Sequence, residues 1–236
     1  MSTEKICANC GGRVTRLYCG DCGQPLAGRL SFRELASTAL AELATFDSAF
    51  LRTFAGLTVN PGRVAREYVS GRRVRYLNPL KYALFAVTVY VVLTHLFGAQ
   101  VGPPRQQRDA DALFATVVSF LPYLMLLSLL PAAALQRLLF RSSGDRVAEC
   151  YVFGLYAYSH VFWLLTPLVL AGVYSAPYGV FIVHGLRLGF WVWATLGFYR
   201  PSLGTALKGV FVFLTFLYLT VFLAGAATRL LLWWQG

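Results

Sequence analysis

The chain has 236 residues, 57% of them hydrophobic and 13% charged, with a formal net charge of +11. Soluble globular domains carry about 25% charged residues, so too little charge is present to cover a soluble surface, and a mean hydropathy of +0.59 identifies an integral membrane protein. In that setting the excess of basic residues marks the cytoplasmic side and contact with anionic lipid rather than nucleic acid.

Residues 1–29 read as a small cysteine module. Its start is polar and lacks the apolar core of a secretory signal, which places the N-terminus in the cytosol. Cys7-Ala-Asn-Cys10 and Cys19-Gly-Asp-Cys22 form two CxxC knuckles. This spacing suits one tetrahedral zinc ion with four thiolates. Gly11 and Gly23 follow the knuckles, where a glycine lets the backbone turn toward the sulfurs. Disulfides are the competing reading, and a reducing cytosol argues against them. A four-thiolate site has no open position, so it is structural. With so small an apolar core, the module is expected to need the metal to fold. A fifth cysteine, Cys150, reads as a packing residue at the start of a membrane helix.

Residues 30–79 form the next region. Ser31 and Glu34 have capping-box spacing. Apolar residues then recur at Phe32, Leu35, Ala39, Leu43, Phe46, Phe50, Phe54 and Leu57, in steps of three or four. One amphipathic helix over 30–60 is expected, lying on the bilayer or packed on the bundle. Pro61-Gly62 ends it. Arg63 to Ser70 forms a short basic helix capped by Gly71, and Asn78-Pro79 opens the first span. The stretch carries Arg63, Arg66, Arg72, Arg73, Arg75 and Lys81. It lacks the interleaved aromatics of a nucleic-acid surface. Anionic lipid contact fits, at about 1 kcal/mol per basic residue and about 6 kcal/mol at most. An Arg63–Glu67 pair would lower that figure, and fixing topology is the plainer role.

Residues 80–236 hold five apolar segments, about 80–97, 112–135, 148–173, 178–198 and 206–228. Each is long enough to cross about 30 Å of hydrocarbon. Pro122, Pro131 and Pro167 fall inside them. With the N-terminus inside, residues 1–81 hold twelve of the lysines and arginines, and the inner loops add Arg137, Arg141, Arg146, Arg200 and Lys208. Arg105, Arg108 and Arg229 lie outside. The bias satisfies the positive-inside rule and puts the C-terminus outside, with Trp233 and Trp234 at the outer interface.

The motif YCGDCGQ resembles the zinc ribbons that precede many bacterial membrane domains. The continuation NPGRVAREYVSGRRVRYLNPLKYALF and the later AECYVFGLYAYS resemble a bacterial family of zinc-ribbon, multi-pass membrane proteins classed only as a domain of unknown function. The likeness covers nearly the whole chain. It implies a ribbon, about five helices and a bacterial inner membrane, and it brings no activity. The plan is loosely similar to that of Yip1-type trafficking proteins.

Ionisable groups within spans raise functional hypotheses. Arg187 and His160 each fall about 15 Å from a helix end. Glu149, Phe153, Tyr156 and His160 share one helical face, and His184, Arg187 and Trp191 another. A polar cavity binding an anionic headgroup or carrying protons is geometrically possible. The plainer alternatives are a hydrogen-bonded packing histidine and an arginine on a carbonyl freed by Pro167. No nucleophile elbow, phosphate loop, HExxH or paired-carboxylate motif occurs. The expected function is therefore non-enzymatic: a scaffold or adaptor whose ribbon docks a cytosolic partner. A transporter or lipid-handling protein using the Glu149, His160, His184 and Arg187 region is the alternative, and a membrane enzyme comes third.

Overall fold

A computed structural model of the protein describes residues 5–14, 17–25, 30–41, 48–97 and 111–235. Leu43, Phe46, Arg105 and Arg108 lie outside these residues. The described chain begins with an antiparallel strand pair, β1 (Lys5–Ile6) and β2 (Arg13–Val14). Helices follow: α1 (Phe32–Ala41), α2 (Ser48–Val59), α3 (Pro61–Val69) and α4 (Pro79–Leu96). Then come α5 (Asp111–Leu139), α6 (Val147–Leu170), α7 (Gly179–Phe198) and α8 (Leu203–Gln235). Among the described residues, five helices, α4 to α8, are long and apolar enough to cross a membrane. The chain is an all-α membrane protein with an N-terminal four-cysteine cluster.

Of the expected single helix over 30–60, the described residues give α1 and α2, with residues 42–47 outside them. Asn78 Nδ2 donates to the Leu35 carbonyl at 3.0 Å, and Phe50 meets the Tyr82 ring at 6.0 Å, so α1 and α2 both meet the start of α4.

Both Asn-Pro pairs start helices. The Asn60 side chain accepts from the Arg63 amide at 3.0 Å, with Pro61 in the first turn of α3. The Asn78 side chain accepts from the Leu80 amide at 2.9 Å at the start of α4. Each pair uses an oxygen cap and a proline whose missing N–H costs the first turn nothing. Asn60-Pro61 therefore closes α2 and opens α3 with no linker between them.

The core centres on α6, which is buried continuously from Ala148 to Phe162. Helices α4 and α5 flank it, α8 packs on α5 and α7, and α3 lies across α7 and α6. The α3–α7 crossing is very close. A Cβ on Gly62 would strike the backbone of Gly197 and Phe198 and the Ala194 carbonyl. The outer faces of α7 and α8 leave Phe181, Ile182, Leu207, Phe211, Tyr218 and Phe222 exposed, as a lipid-facing wall requires.

Candidate functional site

The four cysteines come together. The sulfurs of Cys7, Cys10, Cys19 and Cys22 lie within 4.8 Å of one another, with 3.6 Å between Cys7 and Cys22 and 3.5 Å between Cys10 and Cys19. The knuckles repeat one hydrogen-bond pattern. The Cys7 amide donates to the Gly12 carbonyl at 2.8 Å and the Gly11 amide to the Cys7 carbonyl at 2.9 Å. The Cys19 amide donates to Gln24 at 2.8 Å and the Gly23 amide to Cys19 at 2.9 Å. Gly11 and Gly23 have φ of +78° and +70°, the left-handed region that favours glycine.

The sulfur spacing fits a tetrahedral metal with bonds of about 2.3 Å. The Cys10 amide, helped by that of Asn9, draws the Cys7 thiol down to about 7 against some desolvation. The Gly12 amide acts the same way on Cys10, but its contacts with Cys19 and the other sulfurs prevail and push its thiol up to about 12.

The cluster is keyed to the helices beneath it by Gln24, a residue that the cysteine spacing does not single out. The Gln24 carbonyl closes the second knuckle. Its buried side chain donates to the Gly71 carbonyl and accepts from the amides of Arg73 and Val74 at 3.3 and 3.4 Å. Gly71 has φ of +111°, and a Cβ there would lie 2.9 Å from the Ala8 methyl group. Arg73 pairs with Glu34 of α1 at 3.0 Å. The loop between α3 and α4 is thus the seat of the cysteine module.

The six basic residues do not form one surface. Arg66 turns inward, making two hydrogen bonds to Asp145 at 2.6 and 3.2 Å and two to the Phe198 carbonyl at 2.9 and 3.1 Å, with its guanidinium 3.6 Å over the Phe198 ring. Lys81 is 4% exposed in the first turn of α4. Arg63 and Arg72 flank Glu67 at 2.9 and 3.5 Å, and the Tyr76 hydroxyl donates to Glu67 at 2.7 Å. Arg75 lies 5.7 Å from the Tyr76 ring. Asp145, Glu67 and Glu34 are the acids that pair with these residues.

The four ionisable residues of the spans also part company. Glu149 caps the start of α6, accepting from the Arg146 amide at 2.6 Å. His160 is fully buried, with Nδ1 2.7 Å from the Tyr82 hydroxyl and Nε2 3.1 Å from Thr58 Oγ1. Thr58 donates its proton to the Phe54 carbonyl at 2.9 Å, so it accepts from Nε2–H, and Nδ1 accepts from Tyr82. His160 thereby joins α2, α4 and α6. His184 is exposed on α7. Arg187 lines a crevice that none of the other three lines. No hydrogen bond joins Arg187 to a carbonyl freed by Pro167 among the described residues.

The family described as "Protein of unknown function (DUF3667)" matches residues 47–91. That span is α2, α3 and most of α4, the segment that holds Thr58, Arg66, Gly71 and Tyr82. The chain resembles that family there. No curated protein and no solved structure matches the chain.

Proposed function

We propose that the protein is a non-enzymatic scaffold or adaptor of a bacterial inner membrane, whose four cysteines bind structural zinc and whose ribbon docks a cytosolic partner. The observation that carries this reading is the seat made by Gln24 on the loop at Gly71, Arg73 and Val74. It gives the ribbon one position over the membrane helices. Ile6, Leu17 and Tyr18 stand exposed on a module with almost no core of its own, as an apolar docking face would. The charge bias supports a cytoplasmic N-terminus and a periplasmic C-terminus. The exposed heads of Arg63 and Arg72 and the nearby Arg75 suit anionic lipid at the inner surface.

A photoreactive amino acid at Tyr18, introduced in cells, tests the reading. It should give one discrete adduct that is lost in Cys10→Ser and Cys22→Ser and kept in Arg187→Ala. An adduct indifferent to the cysteines would refute the adaptor role. Elemental analysis of protein purified without chelator should return one zinc per chain.

A further inference from the structure

The crevice that contains Arg187 opens between α5, α6, α7 and α8. Its walls include Met125, Tyr158, Phe162, Trp191 and Phe213, all apolar or aromatic. Arg187 lies eight residues into α7, about 12 Å from the helix end. Among the described residues it has no hydrogen bond or ion pair. A guanidinium in a bilayer is costly unless something neutralises it.

Two further donors point to what is missing. Trp191 is 3% exposed, and its indole N–H meets no acceptor among the described residues. Tyr90 is 2% exposed, its hydroxyl is likewise without a partner among the described residues, and its ring packs 4.7 Å from that of the wall residue Phe162. Buried polar groups are nearly always hydrogen-bonded, so Trp191 in the wall and Tyr90 behind it call for an explanation. The site offers a cation and an N–H and no carboxylate. It is complementary to an oxyanion carried on an apolar chain.

We infer that this crevice binds an amphiphilic anion, with the carboxylate or phosphate on Arg187 and Trp191 and the chain lying along Met125, Phe162 and Phe213. The shared chemistry has two sources, a free fatty acid or the headgroup of an anionic phospholipid. The site is remote in sequence from the ribbon, and the failure of either proposal leaves the other standing.

The test uses the full-length protein in nanodiscs with diazirine-bearing palmitate, phosphatidylglycerol or phosphatidylcholine, followed by peptide mapping. Saturable labelling of α5, α6 or α8 around the crevice is expected from palmitate, phosphatidylglycerol or both, and whichever succeeds identifies the source. Arg187→Gln should lower that labelling about tenfold or more, because a charge-assisted contact is lost. Trp191→Phe keeps the ring and should lower it about threefold. This second variant serves if Arg187→Gln does not fold. Equal labelling by phosphatidylcholine overturns the inference, as does full labelling of a folded Arg187→Gln or Trp191→Phe protein. A guanidinium that merely snorkels to the interface gives those results.

Discussion

At the residue scale, the decisive contacts are polar side chains that close distances along the sequence. Arg66 and Asp145 are 79 positions apart, yet they form the strongest ion pair of the juxtamembrane region, with Asp145 nearly buried. Removing the arginine strands a buried carboxylate, so Arg66→Ala should cost about 3 kcal/mol. Arg63→Ala, at an exposed pair, should cost less than about 1 kcal/mol. Thermal unfolding of the two variants in the same detergent checks the difference. Glu67 adds a pH dependence. Burial raises its pKa, but Tyr76, Arg63 and Arg72 together outweigh this and hold the carboxyl below its ordinary value. A carboxylate with a lowered folded pKa contributes stability above the unfolded value and loses it as pH falls through the folded one. Acid titration should therefore destabilise the wild type more than Glu67→Gln on that limb, as followed by unfolding midpoints below the ordinary carboxylate pKa. None of these partners is visible in the sequence beyond the i, i+4 pair of Arg63 and Glu67, because a cross-helix pairing is decided by packing. The CxxC knuckles are readable for the opposite reason: all four ligands lie within sixteen residues and the glycines mark their turns.

At the element scale, five spans follow from apolar length alone, and the described residues hold five helices long and apolar enough to cross a membrane. The shared face of Glu149, Phe153, Tyr156 and His160 misleads. On a helix buried on all sides, a face does not define a cavity. Phe153 packs on Trp191 and Phe198 of α7, while His160 is held by α2 and α4. The α3–α7 crossing makes the sharpest prediction of this scale. In Gly62→Ala the new methyl group meets backbone, which cannot rotate away. In Gly56→Ala it meets the end of the Val64 side chain, 2.7 Å away. Gly62→Ala should lose at least about 2 kcal/mol or fail to accumulate, and Gly56→Ala should lose less. Size-exclusion profiles and unfolding midpoints of the two proteins decide this.

At the scale of the whole molecule, Gln24 joins the cysteine cluster to the loop at 71–74, and a metal on the four cysteines would hold one side of that joint. Chelation should raise hydrogen exchange in residues 5–25 and at 71–74 together while leaving α6 protected. Gln24→Ala should raise exchange at 71–74 with the metal still bound. Exchange at 71–74 that ignores both treatments would show that the seat is not coupled to the cluster.

The spacing of the key contacts along the chain also has a consequence for biosynthesis. Thr58 waits for His160, 102 residues later, and Arg66 waits for the Phe198 carbonyl, 132 residues later. At translation speeds of 5–20 residues per second, His160 follows Thr58 by roughly 5–20 s. The cysteine cluster is complete by Cys22 and could take a metal long before then. Helices α2 and α3 emerge next and stay without their permanent partners until α6 and α7 are inserted. The matched segment over residues 47–91 thus gains these two contacts only once α6 and α7 have followed it, before α8 completes the chain.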